Sequence, residues 1–147
     1  IYPGWGRVDM RVINLMDNSY PDYWPAGETT LPPANSPDAR LASDFEYLES
    51  QDFRADRGTY HYSTYRHSRY DDWLASGFTT DLYEMLKAEN AMYMAEAYLR
   101  LGDLAQAAAV INAGTRVTRG GLDPVAEDAD AIVADIHFES LVEAMNT

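Results

Sequence analysis

Apolar positions recur at helical spacing mainly in the second half of the chain. From Thr80 onward, Leu82, Met85, Leu86, Met92, Tyr93, Ala97 and Leu101 give wide apolar coverage, which predicts one long and largely buried helix. Asp81, with Glu84 three residues on, has the form of a capping box at its start, and Gly102 can take the left-handed stop after Leu101. Asp103 then caps a second helix that runs through Ala107 and Ile111 toward Arg116, and the sequence RGGL at 119–122 stops it. A third helix is expected from Asp128 or Asp130, carrying Ile132, Val133, Ile136, Leu141, Val142 and Met145. No stop signal follows Met145, so the chain is expected to end inside this helix.

Ahead of Gly77 the pattern is short and broken. RVDMRVINLM (7–16) can form a brief helix, and Leu41, Phe45 and Leu48 fall at helical spacing in DARLASDFEYLES. Between them, prolines at 21, 25, 32, 33 and 37 remove backbone donors and push their predecessors out of helical space, so DNSYPDYWPAGETTLPPANSPD is a long loop. Loops of this length inside a domain are either functional or poorly ordered. GTYHYSTYRHSRY alternates aromatic and polar residues and reads as a short strand or an extended surface segment.

The predicted fold is therefore mainly α. Residues 1–79 form a loop-rich aromatic segment with short helices, and residues 80–147 a helical segment. Met94, Ala95, Tyr98, Gly102, Leu104, Ala107 and Ile111 fall on the interlocking small and large positions of a tetratricopeptide-like hairpin. Such hairpins bury their faces on neighbours and are stable in arrays of about three units. With one clear unit here, either the irregular half packs over the hairpin or further repeats lie in chain beyond this sequence, which would then be one part of a larger domain.

Composition narrows the partners. With 24 acidic against 11 basic residues and a net charge of −13, phosphate backbones are poor ligands, which argues against nucleic-acid binding. Such acidity suits either salty or extracellular surroundings or plain solubility by self-repulsion. The chain has no cysteine, which removes disulfides, thiolate metal sites and cysteine nucleophiles. It opens on Ile1 without a leader-like segment, as expected of a processed or partial chain.

The run ENAMYMAEAYLRLGDLAQAAAVINAGTRVTRGGL, followed after a spacer by IHFESLVEAM, resembles the C-terminal part of SusD/RagB-type proteins. Glu96, Gly102, Asp103, Ala107, Ile111, Asn112, Arg116, Gly121 and Leu122 match the family's pattern position by position. In the later helix Glu139 and Glu143 match while Ser140, Ala144 and Thr147 depart from it, and SPDARL at 36–41 resembles an upstream D-x-R element. The resemblance implies a non-enzymatic protein, lipid-anchored on the outer-membrane surface through chain upstream of this sequence. It would capture a glycan or other nutrient for a TonB-dependent transporter, without a cofactor. The alternative is a tetratricopeptide-type scaffold that binds a protein partner along its helices.

Candidate ligand-binding residues are Trp5, Tyr20, Tyr23 and Trp24, in IYPGWGRVDM and NSYPDYWPAG. Rigid, half-exposed rings stack on the apolar faces of sugars while nearby Asp, Asn and Arg side chains bond the hydroxyls. The competing reading makes these rings the local core of a segment poor in aliphatics. His61 and His67 lie six residues apart and would ligate a metal only with Asp71 or Asp72, so surface or hydrogen-bonded roles fit them better. Glu46, Glu49, Glu84, Glu89 and the Glu139–Glu143 pair could suggest a carboxylate glycosidase, but the last pair, at i and i+4, reads more simply as a solvated or pattern-specific helix face. EDADAIVAD lacks the glycine and final glutamate of a calcium loop, and the chain holds no P-loop, G-x-G-x-x-G or G-x-S-x-G. No catalytic or metal residue is assigned.

Overall fold

The computed structural model describes residues 7–49, 63–82 and 85–144, which are mainly helical with one small two-stranded sheet. The chain forms two compact units, residues 1–82 and 83–147.

In the first unit, α1 (Met10–Met16) starts at Asp9, whose carboxylate accepts from the Arg11 backbone N–H at 2.9 Å. Its Met10, Val12, Ile13 and Met16 are buried with Val8, Tyr20, Leu31, Leu41, Phe45 and Tyr65. The helix expected over Leu41, Phe45 and Leu48 ends early: α2 spans only Arg40–Asp44, and β1 (Phe45–Tyr47) follows at once. The cause is non-local. Phe45 pairs with His67 and Tyr47 with Tyr65 across antiparallel β2 (Tyr65–His67), and the Leu48 N–H reaches the Thr64 carbonyl at 2.7 Å. The aromatic–polar alternation at 65–67 is thus a strand, extended by the Val8 N–H bonding the Tyr65 carbonyl at 2.9 Å. A short α3 (Asp71–Ala75) closes the unit, and Arg66 joins it to the sheet by pairing with both Asp71 and Glu46.

Asp38 and Arg40 sit at the centre of this unit with side chains 1% and 0% exposed. The Arg40 Nη2 and Nε donate to the two carboxylate oxygens at 2.7 and 3.0 Å, and the Arg40 backbone N–H also bonds the carboxylate at 3.0 Å. Asp44, also buried, faces Arg69 at 3.4 Å.

The second unit is helical. The long helix begins later than its apolar pattern implies: α4 spans Lys87–Arg100. Leu82 and Met85 precede it and are exposed, and Glu84 of the expected capping box lies outside the described residues. Nor is α4 largely buried. Met92 and Ala95 face the core while Tyr93, Met94 and Leu101 are exposed. Its end is as the sequence implies, because Gly102 takes φ +78° and the Gly102 and Asp103 N–H groups bond the Leu99 and Tyr98 carbonyls, each at 3.0 Å. Asp103 then accepts from the Gln106 N–H at 3.1 Å to start α5 (Leu104–Asn112).

That second helix does not run on to Arg116. It stops at Asn112, and a separate single turn, α6 (Thr115–Thr118), precedes the RGGL stop. The side chain of Asn112, the last residue of α5, makes a two-way bond to Val125, accepting from its N–H at 2.7 Å and donating to its carbonyl at 3.1 Å. α7 (Ala129–Ala144) is capped by Asp128, which accepts from the Ala131 N–H at 2.9 Å. The core joins Met92 and Ala95 of α4, Ala107, Ala108 and Ile111 of α5, Val125, and Ile132 and Ile136 of α7. Fully buried Ala95 and Ala107 bring only methyl groups to this core, which lets helices approach closely.

Removing the carboxylate at 38 takes the close ion pair from a fully buried guanidinium, so Asp38→Ala is expected to cost about 3–5 kcal/mol in urea unfolding. Glu96→Ala, which breaks the exposed pair with Arg100, is expected to cost less than about 1 kcal/mol. Equal costs for the two would show that the buried pair is not a keystone.

Candidate functional site

The proline-rich loop between α1 and α2 is built as a braced platform rather than a slack connection. At its two ends the Ser36 hydroxyl donates to the Met16 carbonyl at 2.6 Å, and Asp17 accepts from the Asn35 N–H at 2.7 Å. Bonds from the Ser19 hydroxyl, the Asn35 N–H and the Ser19 N–H hold the Asp17 carboxyl below its usual range. In the middle, the Tyr47 hydroxyl donates to the Leu31 carbonyl at 2.6 Å and the Tyr65 hydroxyl accepts from the Ala34 N–H at 2.8 Å. Backbone that the prolines exclude from ladder pairing is thereby satisfied by tyrosines of the sheet.

The four sequence candidates separate on this frame. Tyr20 is buried, with its ring edge-on to Tyr65 at 5.9 Å and its hydroxyl 2.6 Å from that of Thr64. Burial raises its pKa, and its face is closed to solvent, so it serves the local core. Trp24 is half-buried and uses its indole N–H to bond the Glu28 carbonyl at 2.9 Å, which closes the turn at the loop tip. Tyr23, on that same turn, is 71% exposed. Trp5 lies outside the described residues.

The Arg11 guanidinium, gripped by Asp9 through Nη2–Oδ2 at 2.6 Å and Nε–Oδ1 at 3.0 Å, is within electrostatic reach of Tyr23. The same grip holds the Asp9 carboxyl below its ordinary value. Tyr23 offers an exposed flat face of the kind that stacks on a hydroxyl-rich ring.

The other sequence candidates take structural positions. His61 lies outside the described residues, and His67 packs on the Phe45 ring at 4.6 Å. No group of three or more possible metal ligands occurs among the described residues. Glu139 and Glu143 are buried rather than solvated. Arg116 pairs with Asp135 at 3.0 Å, approaches Glu139 at 3.9 Å, bonds the Asp123 carbonyl at 3.1 Å and lies over the Phe138 ring. Burial raises the Asp135 carboxyl while Arg116 opposes that shift.

Sequence reading missed the aromatic pair of Trp73, in α3, and Phe78, just past its end, whose centroids lie 4.6 Å apart. Its local signal is the glycine before Phe78, in the run WLASGF. No family model, curated protein or solved structure matches this chain.

Burial pushes the His67 imidazole down to about 4, with Arg69 acting in the same sense and Asp44 against it. Because the folded value lies below the ordinary 6.5, the unfolded chain binds the extra proton. The contribution to stability is complete above pH 6.5 and is lost as pH falls toward 4, in total about 3 kcal/mol. Titration of the His67 ring protons by NMR is expected to show a midpoint near 4; a midpoint near 6.5 would contradict its burial against Phe45.

Proposed function

We propose that this chain is part of a non-enzymatic nutrient-binding protein of the SusD/RagB type, which holds a glycan or similar ligand at the outer-membrane surface for a TonB-dependent transporter. The observation that carries the reading is Tyr23, a largely exposed ring on a turn fixed by Trp24 and braced at both loop ends. An exposed ring carried on a braced loop presents a flat face on which a sugar can stack.

The residues behind the family resemblance support the same reading by their structural work. Gly102 and Asp103 make the hairpin turn, Ala107 and Ile111 fill the helix contact, Asn112 fixes Val125, and Arg116 reaches α7. We read the α4–α5 pair as tetratricopeptide-like, with Ala95 against Ala107 at the close approach and Tyr98 and Leu104 at its edges. In this reading the hairpin is the frame, and ligand chemistry belongs to the aromatic loops of residues 1–79.

A protein-binding scaffold is the second reading. It is favoured by the exposed Tyr93, Met94 and Leu101 on the outer side of α4. The two readings separate in affinity electrophoresis through gels containing soluble polysaccharides. Glycan binding predicts that the parent chain is retarded on at least one gel and that Tyr23→Ala reduces the retardation several-fold without changing the circular dichroism. Retardation that survives Tyr23→Ala removes the ring from the site. A chain that no glycan retards leaves the scaffold reading.

A further inference from the structure

Phe78 has a backbone that suits glycine and a side chain that water does not. Its φ is +68°, alone in the left-handed region among the described non-glycine residues, and its ring is 50% exposed. A bulky residue in that region is strained, and such strain persists only where the surrounding structure enforces it.

The enforcement is local and complete. At the end of α3 the Gly77 N–H bonds the Leu74 carbonyl and the Phe78 N–H bonds the Trp73 carbonyl, both at 3.0 Å, with Gly77 itself at φ +68°. The Ser76 hydroxyl donates to the Trp73 carbonyl at 2.7 Å and accepts from the Thr79 and Thr80 N–H groups at 3.2 Å each. The Thr79 hydroxyl returns a bond to the Ser76 carbonyl at 2.7 Å. The turn would close equally well with glycine at 78. What the phenylalanine adds is a ring set at 68° to the half-buried Trp73 indole, with part of its surface left in water.

We propose that Trp73 and Phe78 form a second saccharide-stacking platform, separate from the Tyr23 turn. The surroundings select the ligand class. The stretch from Asp71 to Leu82 contains no Lys, Arg or His, the nearby Arg66 is neutralised by Asp71 and Glu46, and Asp72, Thr79, Thr80 and Asp81, neighbours of the two rings in sequence, are exposed. Carboxylates and hydroxyls accept bonds from sugar hydroxyls, and the carboxylates of Asp72 and Asp81 repel anions, so the platform takes a neutral saccharide in preference to a uronate or a sulfated glycan. The inference rests on the glycan-holding reading, and it adds a second contact and a preference for uncharged chains.

The test runs the full chain in gels of amylopectin, xylan, galactomannan and mixed-linkage β-glucan, with polygalacturonate as the anionic comparison. Phe78→Gly removes the ring and relieves the left-handed strain, so it is expected to melt no lower than the parent while retardation on the retaining neutral gel falls several-fold. Phe78→Tyr, which keeps a ring, is expected to preserve retardation. Retardation unchanged in Phe78→Gly, or a Phe78→Gly chain that melts lower than the parent, assigns the ring to packing on Trp73 and overturns the platform. Stronger retardation on polygalacturonate than on every neutral gel overturns the ligand class. If Tyr23→Ala weakens binding and Phe78→Gly does not, the platform alone fails; if the parent is retarded on no gel, the glycan-holding reading fails with it.

Discussion

A guanidinium with no exposed surface has to be neutralised where it lies, and the first unit is organised around that requirement at Arg40. Taking both ions out of water costs several kcal/mol each, roughly, which only close and multiple bonding returns. Asp38, two residues earlier, supplies it from within a single turn. The geometry requires the chain to curl tightly at residues 38–40, directly after the last proline of the long loop, and this fixes where the loop ends and α2 begins. Asp44 at the other end of α2 meets Arg69, so the short helix is bounded by buried charge at both ends and has no freedom to extend into Phe45.

From that anchor the sheet and the loop follow. Once Phe45 is extended it can pair with His67, and Tyr47 and Tyr65 are brought to 5.6 Å. Their hydroxyls then meet the loop backbone at Leu31 and Ala34. The proline-rich stretch lacks the donors to stabilise itself, and the sheet tyrosines provide the missing bonds. An ion pair with no surface thus contributes, through two steps of packing, to the rigidity of a turn that carries a largely exposed ring.

What could be read in advance divides along range. Caps at Asp9, Asp103 and Asp128 and the stop at Gly102 depend on residues within one turn, although among them only Asp103, Gly102 and Asp128 stand out from the pattern around them. The strand at Phe45 depends on a partner at 67, and helical spacing of Leu41, Phe45 and Leu48 carried no trace of it. The late start of α4 has a local cause of a kind that periodicity does not register. The turn after α3 engages the N–H groups of Thr79 and Thr80 through Ser76, and the chain is still non-helical at Asp81 and Leu82. At the candidate site the residue types were legible and their exposure was not. Tyr20 and Tyr23 are three apart in one aperiodic loop, yet one is 5% exposed and the other 71%.

That contrast bears on how such a chain divides its aromatic residues. Buried tyrosines here end on a specific polar atom: Tyr20 on Thr64, Tyr65 on Ala34. Each contributes both apolar area and a bond that loop backbone or a buried hydroxyl would otherwise lack, so its position follows from stability alone. Phe78 has no hydroxyl to give and is held in a strained backbone with half its surface in water. Stability alone would favour glycine at that φ, and a polar side chain at that exposure. Within the fold the ring gains its edge contact with Trp73, and the half of its surface left in water is what the proposed saccharide contact would use.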